Sequence, residues 1–260
     1  MTLRPALLLS LLLPLAACTG QDASPTTATP AATTTPAGAT EAPASAAPTE
    51  AATPAPAEPT PAAVAEVPIG PAPVAGADYI EIPGGQPFEP GSGKIEVVEV
   101  FSYTCPHCAS FEPMVLAWRA KQTADVKFTP VAGPFGANPM PFAKAFYAAQ
   151  SLGLLAKTHE PMFRAVHIDR SLDVQGANDE SIAAFYARYG ADPKQFASTM
   201  SSFAVDAKLK RATQFMQRSG VESSPTVIVD GKYRVTGKSL EDMLRITSHL
   251  VVQERAARGG

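Results

Sequence analysis

The 260-residue sequence predicts an α/β fold with an inserted block of helices, and three observations carry that prediction. An apolar run from Ile95 to Ser102 leads straight into a helix opened by Cys105-Pro106-His107-Cys108, and a second apolar run, Val126 to Val131, follows it. Helical periodicity alone then fills the chain from Pro141 to Ser219. Strand signals return only at Thr226 to Val229 and Tyr233 to Val235, joined by the turn Asp230-Gly231-Lys232.

Before the fold comes a different kind of chain. Arg4 supplies a positive charge, Leu7 to Leu15 an apolar stretch, and Leu15-Ala16-Ala17-Cys18 small residues ahead of a cysteine. The stretch is too short to span a bilayer and reads as the core of a secretory signal. Its ending resembles a bacterial lipoprotein signal, which implies cleavage after residue 17 and lipid on Cys18; the competing reading is a plain secretory cleavage site beside a cysteine. Residues 18–78 are mainly Ala, Pro, Thr and Ser, and fifteen of the 26 prolines lie between 21 and 90. So little apolar surface cannot offset ordering entropy, and a disordered, polyproline-like tether is expected. A Thr/Pro-rich stalk is also compatible with glycosylation. Six acids and no Lys or Arg occupy 21–78, so the remainder is close to neutral and offers no basic field for nucleic acid.

The folded part is expected to open with an edge strand, Tyr79 to Ile82, and a Pro/Gly loop, Pro83 to Gly93. Ile95 to Ser102 reads as a buried central strand, apolar on both faces apart from Glu99. The helix from Pro106 to about Gln122 places Phe111, Val115 and Trp118 at helical spacing, and with the strand Val126 to Val131 it forms a right-handed parallel unit. Further helices are expected at Pro141 to Leu155, His159 to Val166, Glu180 to Tyr189, Pro193 to Met200, Ala204 to Ser219 and Leu240 to about Arg255. Asp179, Asp192 and Ser202 or Phe203 stand where helices start, with Pro193 at a first helical position.

Two cysteines three positions apart at a helix start are the minimum equipment for thiol–disulfide exchange. Cys105 lies among the unpaired N–H groups and the positive end of the helix dipole, which favours its thiolate. Cys108, one turn in, is the shielded resolving thiol. With Cys18 assigned to lipid, the three cysteines divide into one attachment site and one redox pair.

The run Glu99-Val100-Phe101-Ser102-Tyr103-Thr104-Cys105-Pro106-His107-Cys108 with Phe111-Glu112, and the later block Gly220 to Tyr233 around Ser224-Pro225, resemble the DsbA family of periplasmic thiol:disulfide oxidoreductases. The resemblance covers about 79–255 and implies a thioredoxin-like fold, formed by 79–137 and 220–260, with an inserted α-helical domain at 138–219. By resemblance, His107 stabilises the Cys105 thiolate, Pro106 shapes the turn, and Pro225 is a cis-proline facing the active site. Ser224 then presents backbone groups to an extended substrate, and Glu99 is a buried proton acceptor beneath the resolving cysteine. Pro225 also reads as an ordinary proline at a strand start, and Glu99 as a strand-end acid reaching water. Where some relatives place a lysine on the next strand, this chain has Pro130.

Glu112 either bears on the thiolate electrostatics or lies on the solvated helix face, and the face is expected; His159, His167 and His249 are expected on surfaces or within helices rather than as ligands. One Cys-x-x-Cys without a second pair is poor support for zinc, so no metal and no cofactor beyond the disulfide is expected. The resemblance implies reduced exported proteins as substrates and a DsbB-like membrane quinone reductase as reoxidant, with membrane attachment through lipid on Cys18. The alternatives are a reductase or isomerase of disulfides, or a non-catalytic lipoprotein stapled by a structural disulfide.

Overall fold

The computed structural model describes residues 67–259. The expected signal peptide over 1–17, Cys18 and most of the 18–78 tether lie outside the described residues. Among the described residues five strands, β1 (Tyr79–Glu81), β2 (Ile95–Phe101), β3 (Val126–Ala132), β4 (Thr226–Val229) and β5 (Tyr233–Val235), form one mixed sheet in the order β1-β5-β4-β2-β3. β2 and β3 are parallel, whereas β4 runs antiparallel to both β2 and β5. Helix α1 (Pro106–Arg119) joins β2 to β3, and α7 (Leu240–Ala257) follows β5. Between β3 and β4 come α2 (Pro139–Ser151), α3 (Leu155–His167), α4 (Asp179–Ala187), α5 (Pro193–Met200) and α6 (Phe203–Arg218).

β2 is buried along its whole length because it runs between β3 and β4. Its side chains alternate between two cores, as the two-residue strand period requires. Val98 and Val100 join Phe142, Phe146 and Phe163 from the helical segment. Ile95 and Val97 join Phe111, Val115 and Trp118 of α1 and Ile246 and Leu250 of α7. Each such fully buried side chain contributes roughly 1.5–3 kcal/mol of hydrophobic stabilisation.

The same alternation places two carboxylates on opposite faces of β2. Glu99 falls on the α1/α7 face, and Glu96, which sequence reading passed over, falls on the other. Glu96 is fully buried and satisfied: it accepts from the Phe88 N–H at 2.6 Å, the Glu89 N–H at 3.1 Å and the Thr129 hydroxyl at 2.8 Å. It thereby fastens the Pro83–Gly93 loop to the sheet.

β3 is an edge strand, and its Pro130 is in register with Glu99. The Gly133 N–H bonds to the Phe101 carbonyl, so by alternation the odd-numbered N–H groups of β3 face β2 and the nitrogen of Pro130 faces outward. Proline therefore costs the ladder no hydrogen bond here. The β4–β5 turn carries positive φ at Asp230 and Gly231, and a Cβ on Gly231 would lie 2.1 Å from the Gln86 carbonyl carbon, which restricts that position to glycine.

Several boundaries differ from the sequence expectation for local reasons. α1 stops at Arg119, three residues early. α2 begins at Pro139 because Asn138 turns through φ 41° and its amide donates to the Val174 and Ala177 carbonyls, both at 2.9 Å. α3 runs from Leu155 to His167, starting four residues before the expected His159 and passing through Pro161. The α4 cap is Asn178 rather than Asp179, accepting from the Ser181 N–H at 2.9 Å, whereas Asp192 and Ser202 cap α5 and α6. Attachment to the fold also begins before residue 79: Arg245 donates to the Pro71 carbonyl, and the Thr236 hydroxyl bonds to the Ala77 carbonyl at 3.0 Å.

Candidate active site

β2 delivers the chain to a short turn, Ser102 to Thr104, that aims Cys105 at the start of α1. Cys105 is the N-cap residue in an extended conformation, and Pro106 occupies the first turn, where its missing N–H is of no consequence. The turn is held from several sides. The Cys105 N–H donates to the Ser102 carbonyl at 3.1 Å, and the Thr104 hydroxyl to the Phe135 carbonyl at 3.1 Å. His167 Nε2 meets the Tyr103 carbonyl at 2.7 Å. Both cysteines are free thiols, Cys105 half-buried and Cys108 fully buried.

The two thiols are driven apart in proton affinity. Hydrogen bonding from the Cys108 thiol is the largest influence lowering the Cys105 pKa, from 9.0 to about 5. The Cys108 N–H, the Ser224 side chain and the His107 N–H assist, against the opposing effect of burial. Cys108 moves the other way, its thiol held far above the ordinary range because it serves as donor to Cys105 and because it is buried. One thiol is thus a half-buried nucleophile and the other a retained proton carrier.

The Ser224–Pro225 bond is cis, and both residues are half-buried beside Cys105. The Cys105 thiol donates to the Ser224 carbonyl at 3.3 Å, so the two sequence blocks 119 residues apart meet at the reactive sulfur. His107 is exposed, and its backbone N–H is what bears on the thiolate.

Glu99 is 1 % exposed, and its Oε1 has no hydrogen-bond partner. Burial, the largest influence, holds its pKa well above 4.5; Glu112 and Cys105 push the same way and Arg119 opposes them. Arg119 is the nearby cation that a lysine at Pro130 would otherwise supply; its guanidinium lies 4.6 Å above the Phe128 ring, two residues along β3 from Pro130.

Glu112 corrects the expectation of a solvated face. It is 4 % exposed, and its Oε2 lies 3.5 Å from His159 Nε2, while His159 Nδ1 meets the Tyr103 hydroxyl at 2.7 Å. His159 is therefore embedded among Phe101, Tyr103, Phe146 and Phe163 and ties α3 to α1. The signal that points to Glu112 is its spacing: Cys108, Glu112, Val115 and Arg119 fall on one helical stripe, starting from a buried thiol. No comparable signal marks His159, whose partners come from elements far away in sequence. Among the described residues no group of three or more His, Cys, Asp or Glu is placed to hold a metal ion.

The thioredoxin family profile matches residues 92–247. The thiol:disulfide interchange protein DsbA of Pseudomonas aeruginosa strain PAO1 is 36% identical over 191 residues, 71% of this chain and 87% of the relative. That of Burkholderia cepacia is 32% identical over 179 residues, 69% of this chain and 82% of the relative. Among solved structures, the oxidoreductase DsbA from Xylella fastidiosa superposes with a TM-score of 0.69 at 46% identity, covering 71% of this chain and 98% of its own. A profile matched over most of the described chain, relatives above 30% identity covered over most of their length and a matching solved structure lead to one conclusion: the chain belongs to the DsbA family of thiol:disulfide oxidoreductases.

Proposed function

We propose that this oxidoreductase works as a donor of disulfides, passing its Cys105–Cys108 bond to reduced exported proteins in the periplasm. The observation that carries this direction is Cys105 at the N-cap of α1, where hydrogen bonds from the Cys108 thiol and the backbone N–H groups of Cys108 and His107 lower its pKa to about 5. Whatever stabilises that thiolate stabilises the reduced enzyme, and a stable reduced form makes the disulfide a ready acceptor of electrons. A substrate thiolate attacks Cys105 sulfur and forms a mixed disulfide; a second substrate thiol then displaces Cys105 and leaves both enzyme thiols reduced. Ser224 and Pro225 support the extended substrate segment, Pro106 and His107 shape and stabilise the thiolate end of α1, and Glu99 exchanges a proton with Cys108. A membrane-bound, quinone-linked reductase of the DsbB kind restores the disulfide.

The same reading takes Cys18 as a lipid attachment site after removal of residues 1–17, with 18–78 as a tether. Stretched fully, the tether would reach on the order of 180 Å at about 3.1 Å per residue. Residues 79–137 and 220–260 then form the redox domain and 138–219 the helical insertion.

Equilibration of the purified protein with glutathione buffers tests the direction: a potential more oxidising than glutathione is expected, and a strongly reducing one replaces the donor by a reductase. In the same preparation, Cys105→Ala must abolish oxidation of a reduced test protein. A Cys18→Ser variant that still partitions with membranes would remove the lipid anchor from the scheme.

A further inference from the structure

Cys105 stands at the end of a four-residue turn, Ser102 to Cys105, closed by the Cys105 N–H on the Ser102 carbonyl at 3.1 Å. The peptide between Tyr103 and Thr104 is the middle of that turn, and its orientation governs how the chain enters the next residue. Thr104 avoids the positive φ that the flipped form of such a turn demands, so the Tyr103 carbonyl keeps one direction. Tyr103 is buried, and a buried carbonyl without a donor is costly.

Its donor comes from outside the strand–helix unit. His167 Nε2, at the C-terminal end of α3, lies 2.7 Å from the Tyr103 carbonyl. A carbonyl can only accept, so His167 carries a proton on Nε2. Four residues earlier the Phe163 ring packs edge-on against the Tyr103 ring, with centroids 5.0 Å apart. Four residues earlier again, His159 Nδ1 meets the Tyr103 hydroxyl at 2.7 Å. Residues four apart share one face of a helix, so a single stripe of α3 takes hold of Tyr103 at its hydroxyl, ring and carbonyl. Thr104 is held from the loop after β3, its hydroxyl donating to the Phe135 carbonyl at 3.1 Å. Both central residues of the turn are therefore fixed by chain that lies between β3 and the end of α3.

This grip bears on the sulfur. The Cys105 thiolate depends on donors from the Cys108 thiol and from the backbone N–H groups of Cys108 and His107. Such charge-assisted bonds weaken steeply as distance and angle depart from the optimum. In the disulfide the same sulfur is bonded to Cys108 and carries no charge, so its placement against those donors matters less.

We propose that His167 is a positioning residue of the exchange reaction: its hydrogen bond to the Tyr103 carbonyl, braced by Phe163 and His159, seats the Cys105 sulfur at the start of α1 and favours the reduced enzyme over the oxidised. The inference rests on Cys105 as the exchanging thiol. A fastening of purely structural purpose would support both redox forms alike and leave the balance between them unmoved.

Equilibration of the full chain with glutathione reads that balance: the reduced enzyme passes two electrons and two protons to glutathione disulfide, giving the enzyme disulfide and two glutathione thiols. His167→Leu keeps bulk and removes the donor; it should shift the equilibrium toward the enzyme disulfide by about threefold or more. The ultraviolet absorbance of the Cys105 thiolate should then appear at higher pH than in the parent. His167→Gln, whose amide N–H takes the place of Nε2–H, should stay within about twofold of the parent. In urea, His167→Leu should lose more stability in the reduced form than in the oxidised one. An unmoved equilibrium with equal losses in both forms overturns the proposal, as does a glutamine variant displaced as far as the leucine one. Should His167→Leu not fold, His167→Asn, with an amide one bond shorter, replaces it in the comparison with glutamine. The parent's own position in the same buffers tests the donor reading, so the two can fail separately.

Discussion

Two carboxylates three residues apart on β2, both out of solvent, have opposite fates. Glu96 receives two backbone N–H groups and a hydroxyl, all from the loop and strand it holds in place. Glu99 lies beneath the active-site helix with Oε1 unpaired and its pKa raised by burial. Burial alone therefore says little about the purpose of an acidic residue. A satisfied carboxylate is a fastening, while an unsatisfied one retains free energy that a proton can release.

The largest expected effect separates them by activity. Glu99→Gln should slow proton-coupled exchange at Cys108 by about a hundredfold without loss of stability. Its stability should also follow a different pH course. The folded state raises the Glu99 pKa, so the contribution of its protonated form is complete below the unfolded value, near 4.5, and is lost as pH rises through the higher folded value. The glutamine variant lacks that loss, and its advantage over the parent in urea melts should widen with increasing pH. A parallel pH course for the two proteins would erase the distinction.

Glu96→Gln comes next and acts on folding. An amide places N–H groups where the donors of Phe88, Glu89 or Thr129 already point, at a cost of about 2 kcal/mol. Urea titration should record that loss while the glutathione equilibrium of the Cys105–Cys108 pair stays at the parental value. A shifted equilibrium would show that the fastening reaches the active site. Arg119→Gln is the smallest: removing the cation that opposes burial should move the ionisation of Glu99 further up in pH, with stability changed by less than about 1 kcal/mol because Arg119 is exposed.

The strand–helix–strand unit around Cys105 was legible because each element carries its own period and punctuation. The cysteine pair, Pro225 and Glu99 were legible as members of two sequence blocks. Glu96 was not, because an acid in an apolar strand reveals its partners only when the Pro83–Gly93 loop folds back over it. His159 was hidden for a similar reason: its neighbours Tyr103 and Glu112 are assembled by packing of α3 on α1, which no local pattern encodes. Glu112 stood on a readable stripe, but a charged residue on a helix is placed outside by default, and here His159 makes its burial tolerable.

Pro130 has a consequence beyond its neighbourhood to Glu99. It sits at the outer edge of the sheet with its nitrogen facing away from β2. An enzyme that exchanges disulfides with exported proteins meets chain segments that can seek a hydrogen-bonding edge. The proline leaves a gap in the row of donors that such a strand would need, so a client captured at Cys105 finds no continuous template along β3 on which to aggregate.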